Sequence, residues 1–170
     1  MPYSTNWVPV IPQAGVQVLT ESSTTANHHL GTVIRCRDNG VNSNGEAEFI
    51  YLKGATGTVA GSFVLYNEDD YSTSLLAAND IGQVAIAISA NVANQFGWYQ
   101  IKGKAVGKVL AGFLDNANVY STATAGSVDD AIVAGDRIKK CKGASAIDVP
   151  ATGMAEFEID RPFVDDAVAA

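Results

Sequence analysis

The sequence predicts an all-β protein, a small β-barrel or β-sandwich carrying an extended N-terminal arm. Three observations lead there. From Gly31 onward, short apolar segments recur at close intervals, divided by Gly, Asn and Asp. No stretch keeps apolar residues at the i, i+3, i+4, i+7 spacing over the roughly 11 residues that mark a helix. The first thirty residues carry Pro2, Pro9 and Pro12 among isolated large side chains and follow neither period.

Residues 1–30 form the arm. Proline removes a backbone donor and fixes φ, so this segment is expected to be extended. Its large side chains are Tyr3, Trp7, Val8, Val10 and Ile11, followed by the polar run 21–27. Such an arm either wraps its own domain or lies on a neighbouring subunit, and the residues leave both open.

Residues 31–164 form the β-domain. A strand at 32–37 leads into Asn39-Gly40 and Asn44-Gly45, tight-turn dipeptides that tolerate positive φ, and a strand at 47–53 completes a hairpin. Segments 62–66 and 72–76 follow. Segment 82–90 alternates, with Val84, Ile86 and Ile88 on one face and Ala85, Ala87 and Ser89 on the other. A polar loop at 91–95 returns the chain into 98–102, where Trp98 and Gln100 share one face and Tyr99 and Ile101 the other. Strands at 105–110, 118–120 and 154–159 complete the set. Segments 75–80 and 128–134 are each long enough for one helical turn. Residues 165–170 are expected to be a flexible tail.

At 170 residues and 47% hydrophobic content the chain suits one domain with a real core. Its net charge of -7 repels a phosphate backbone. The one basic cluster, Arg137-Ile-Lys139-Lys140-Cys-Lys142, sits between Asp136 and Asp148 and reads as a solvated strand or turn edge. The N-terminus lacks a basic region followed by an apolar run, and no apolar stretch approaches the ~18 residues of a membrane span. Neither nucleic acid nor membrane is therefore expected as a partner. Cys36 and Cys141 belong to no Cys-x-x-Cys pair and read as buried free thiols of a reducing cytoplasm, with a disulfide between them left open.

Reaction chemistry is hard to assemble from these residues. The two histidines, His28 and His29, adjoin each other, and adjacent residues on an extended chain face opposite ways. They read as capping or interface groups rather than catalytic or metal-binding ones. The glycine-rich run 54–62 has no lysine before Ser62 and leads into no helix, so it reads as a turn. A calcium loop around Gly45 fails, because its first ligand would be Gly40 and its last Tyr51. The pairs Asp69-Asp70, Asp129-Asp130 and Asp165-Asp166 read as turn groups, with a structural cation as the alternative. Of Trp98 and Tyr99, one is expected in the core and the other at a subunit contact, the alternative being a sugar-stacking platform. No catalytic residue, metal or cofactor is expected. The candidate interface, with a partner or a second subunit, comprises Tyr3, Trp7, Val8, Pro9, Val10, Ile11, His28, His29, Trp98 and Tyr99.

Three segments carry a family likeness: Gly45-Glu-Ala-Glu-Phe-Ile-Tyr-Leu-Lys-Gly54, Gln95-Phe-Gly-Trp-Tyr-Gln-Ile-Lys-Gly-Lys-Ala105 and Val119-Tyr-Ser-Thr-Ala-Thr-Ala-Gly-Ser-Val-Asp-Asp130. In them the chain resembles the capsid decoration, or head cement, proteins of tailed bacteriophages, from about His29 to Asp165. The resemblance implies a non-enzymatic β-domain, made in the host bacterial cytoplasm, that binds the major capsid protein on the outer face of the assembled head. It also implies a homo-oligomer, commonly a trimer, that stabilises capsomer contacts. The acidic balance suits an outward surface, and an apolar arm suits attachment in the manner of strand addition. Other virion β-modules (a head-fibre base or a tail-associated protein) and a carbohydrate-binding module are the competing readings.

Overall fold

The alternation read in the sequence becomes a sheet of eleven strands in the computed structural model, which describes residues 6–11, 14–40 and 44–166. In chain order these are β1 (Trp7–Pro9), β2 (Val33–Asp38), β3 (Glu46–Lys53), β4 (Phe63–Tyr66), β5 (Thr73–Leu75), β6 (Gly82–Ala87), β7 (Phe96–Lys108), β8 (Asn118–Ser121), β9 (Val128–Asp129), β10 (Arg137–Gly143) and β11 (Met154–Val164). No helix occurs among the described residues. The main path runs β1-β2-β3-β7-β6-β11-β10-β8-β9, with β4 and β5 branching from β6. Its two ends stay apart, so the all-β expectation holds as an open sheet folded over on itself, not as a closed barrel.

The sheet forks at β7. One edge of β7 pairs with β3 from Phe96 to Lys102. Its other edge meets β6 at Tyr99 and Gln100, then β11 from Lys102 to Lys108. Two strands thus share one edge, and the ladder is interrupted between them. The buried Gln100 side chain fills that gap, its amide donating to the carbonyls of Lys102 (3.2 Å) and Lys104 (2.9 Å). Gly103 turns the strand there with a φ of +98°, and a Cβ at this position would lie 2.7 Å from the Glu46 carbonyl oxygen.

Three apolar cores result. The first joins Phe63, Val84, Ile86, Phe113, Ile138, Phe157 and Ile159 between β4, β6, β10 and β11. The second joins Trp7, Ile34, Cys36, Phe49, Tyr51 and Trp98, with Leu19 of the arm laid over them. The third joins Ile50, Leu52, Val64, Ala85, Tyr99 and Ile101. The bulky face of β6 serves the first core and its alanine face the third, as the alternation requires.

Several local expectations need correction. Segments 98–102 and 105–110 are one strand, because Gly103 bends β7 without ending it. The basic cluster, read as a strand or turn edge, is a strand, β10, in which Lys140 (φ +56°) makes a bulge that shifts the register between Lys139 and Cys141 and hides the alternation. A similar left-handed residue, Arg161, lets β11 run on to Val164 instead of stopping at 159. The segment 128–134 gives β9 and a turn instead of a helical turn, and 75–80 likewise forms none. Asp165, assigned to a loose tail, is held by an ion pair with Lys139, and residues 167–170 lie outside the described residues.

Candidate functional site

The arm is held by its own domain. Trp7 pairs with Asp38, Val8 with Arg37 and Pro9 with Cys36, which makes β1 the outermost strand of the sheet. Trp7 turns inward and meets Phe49 edge-on at 5.4 Å between ring centres. Val8, Val10 and Ile11 stand exposed, Ile11 to 71%, while Pro9 is half-buried. Tyr3 lies outside the described residues. The Val10 N–H donates to the Arg35 carbonyl, and the Asn6 carbonyl accepts from the Asn39 N–H. Strand period then directs the backbone of Trp7 and Pro9 away from β2, along the free edge. Pro9 removes the donor in the middle of that edge, the device by which sheets discourage a further strand. The arm's strand is therefore already spent within the chain, and its outer edge is poorly suited to strand addition.

Farther along, residues 14–30 lie over the second core. Ser23 and Phe96 exchange backbone hydrogen bonds (3.0 and 2.8 Å), tying the segment to the start of β7. Gln17 is the fastening point. Its carbonyl accepts from the Trp98 indole N–H (3.1 Å), and its side-chain oxygen accepts from the Tyr51 hydroxyl (2.6 Å) and the Asn27 amide (3.0 Å). Its side-chain amide donates to the carbonyls of Glu21 (2.8 Å) and Phe96 (3.1 Å). Its backbone N–H donates to Nε2 of His28 at 3.0 Å. The His28 ring leans on Tyr51 (5.0 Å, 82°) and Trp98 (5.2 Å, 48°). Burial holds His28 below its ordinary pKa of 6.5 and raises the Tyr51 phenol, with the Asn27 N–H bond working the other way on Tyr51.

The candidate interface residues therefore divide. Trp98 and His28 come together in one aromatic cluster, completed by Tyr51 and Gln17, which sequence reading missed. His29 faces solvent beside it, its carbonyl closing a turn with Thr32. Both Trp98 and Tyr99 are fully enclosed in the chain, on opposite faces of β7. The expectation that one of them covers a subunit contact is corrected, because each face of β7 has its own core. Neither ring offers a sugar a stacking surface. Tyr99 instead turns its hydroxyl toward Thr73, Asn91 and Thr58 without reaching hydrogen-bond geometry, and burial pushes its pKa up to about 12.

The remaining candidates act structurally. Cys36 and Cys141 are buried free thiols in different cores, and burial raises Cys36 to about 12 and Cys141 farther, which leaves both poor nucleophiles. The Asp70 carboxylate caps the N–H and hydroxyl of Ser72, and these bonds lower its pKa. Asp130 accepts from the Leu114 N–H at 3.1 Å. No group of three or more His, Cys, Asp or Glu converges among the described residues. An apolar cleft between Trp7, Ile88, Gln100, Lys104 and Met154 holds about 40 Å³. That is room for a few waters, and the larger depressions, such as one of about 570 Å³ beside His28 and His29, lie open on the surface instead of forming an enclosed pocket.

What the arrangement offers chemically is contact surface: exposed aliphatic side chains on and just after a pinned strand, and a covering segment fastened chiefly at Gln17 and Ser23. Scans against protein-family models and against curated proteins give no match to this chain.

Proposed function

We propose that this chain is a non-enzymatic capsid decoration protein of a tailed bacteriophage, binding the major capsid protein on the outer surface of the assembled head as a homo-oligomer, in particular a trimer. The observation that carries the reading is the exposed trio Val8, Val10 and Ile11, on and just after β1, beside Trp7 locked into the core. Apolar side chains on a backbone already tied to β2 through Trp7 and the Val10–Arg35 hydrogen bond lose less freedom on binding, so more of their burial is left as affinity. The likeness of residues 45–54, 95–105 and 119–130 to head cement proteins gives the partner, and the charge of -7 suits an outward surface. A trimer engaging several sites converts weak single contacts into firm attachment through effective concentration.

The contact does not need strand addition. It needs a complementary apolar surface on the shell. Removal of residues 1–12 is a poor test, because it also takes Trp7 out of the second core. The sharper test is Val10→Glu with Ile11→Glu in the full chain, assayed by cosedimentation with assembled heads of the encoding phage. The wild-type protein is expected to pellet with heads in many copies, and the folded double variant is expected to stay in solution. Wild-type protein that ignores heads, or virions that lack it, would end the proposal. Light scattering on the purified chain reads the oligomeric state.

A further inference from the structure

We propose that His28 is a proton-operated latch: neutral, it accepts from the Gln17 N–H and holds residues 14–30 over the aromatic face of β3 and β7; protonated, it releases that segment. The inference stands apart from capsid binding and rests on the arm's own fastening.

The hydrogen bond dictates the protonation state. An imidazole nitrogen accepts only through a free lone pair, so Nε2 at 3.0 Å from the Gln17 nitrogen assigns the proton to Nδ1. A second proton would set N–H against N–H. The rings of Tyr51 and Trp98 occupy two sides of the imidazole and attract an imidazolium weakly. They supply no acceptor to replace the one that Gln17 requires. The ionisable neighbours are few. Tyr51 on β3 is kept neutral by burial, Trp98 on β7 does not ionise, and the adjoining His29 faces solvent. Glu21 of the arm meets Gln17 through its backbone carbonyl. Burial alone lowers His28, with no charged neighbour contributing.

Gln17 transmits the event. Six hydrogen bonds meet at this one residue, and five of them fasten β3, β7 or other parts of the arm. Displacing its backbone to relieve the His28 clash pulls on the bonds to Trp98 and Phe96 together. Leu19, two residues on, is the side chain that seals the second core. The sign follows from linkage. The released segment binds a proton at the ordinary pKa of 6.5 and the seated one below it, so seating is full above that value and weakens as pH falls.

The experiment compares protection of the Trp98 indole N–H and of backbone amides 15–30 between about pH 7.5 and about pH 5 by NMR hydrogen exchange. Strands β10 and β11 serve as the internal reference. Protection of the arm is expected to fall by up to about thirtyfold, the ratio of charged to neutral imidazole at pH 5 for a pKa of 6.5, while the reference holds. The chain has only two histidines, which keeps assignment simple. His28→Gln, whose side-chain oxygen accepts at any pH, is expected to abolish the step, and His29→Gln to leave it intact. Equal protection of the wild-type arm at both pH values would overturn the proposal. So would a step that survives in His28→Gln or disappears in His29→Gln.

Discussion

The first and second cores do the same job by different means. The first is walled mainly by strands, with the loop residue Phe113 closing one side; Phe157 meets Phe63 at 5.1 Å and Phe113 at 5.5 Å. Most of its cover is regular ladder, so removing it means breaking β6, β10 and β11 from their neighbours. The second has strands beneath and an irregular segment above, fastened by side-chain hydrogen bonds that converge on Gln17. Apolar burial supplies the driving force in both. In the first core, loss of cover and loss of fold are one event. In the second, the segment 14–30 is expected to open on its own at a lower free energy.

Substitutions can break that comparison. The largest effect is expected for Phe157→Ala, about 3–5 kcal/mol of global stability, read as a drop in the urea midpoint with unchanged slope. Leu19→Ala, at a site able to collapse, is expected to cost about 2 kcal/mol. That loss should appear as faster exchange in residues 14–30 more than as a lower midpoint. If Leu19→Ala lowers protection across β10 and β11 equally, the two cores form one cooperative unit and the distinction fails. Gln17→Ala leaves the Asn27 amide and the Tyr51 hydroxyl without their acceptor and is expected to cost about 1–2 kcal/mol, again confined to the arm. At the small end, Arg35→Ala removes the exposed ion pair with Glu46. Calorimetry is expected to find a change within about 0.5 kcal/mol, and a larger one would assign the outer face of β2 a structural role.

The same division governs what the sequence discloses. The alternation of residues 82–90 foretells β6 and both its faces, and the turn dipeptides around Asn39 and Gly45 foretell the β2–β3 hairpin, since these depend on local geometry. Strand β10 is masked because one left-handed residue, Lys140, moves Cys141 out of step with Ile138. The fork is invisible, because two strands sharing one edge of β7 is a fact of pairing, and Gln100 shows its purpose only once its amide is seen to reach the carbonyls of Lys102 and Lys104 beside the gap. Of the site, the arm's large residues and His28 are noticeable as outliers of composition. Gln17 carries no such signal. A half-buried glutamine in an irregular segment becomes a hub only through Tyr51 and Trp98, more than thirty residues away in sequence.

The position of the strands nearest the two chain ends has a mechanical consequence. Strand β1 is zipped to β2 alone, so tension entering through the N-terminal side peels it one hydrogen bond at a time. Strand β11 is flanked by β10 on one side and by β7 and β6 on the other, so a load on the C-terminal side must shear many bonds together. The molecule is compliant at one end and stiff at the other, and optical-tweezer extension from its two termini would record a soft yield before the main rupture. A tether joined through the first strand would stretch before the body of the sheet gave way.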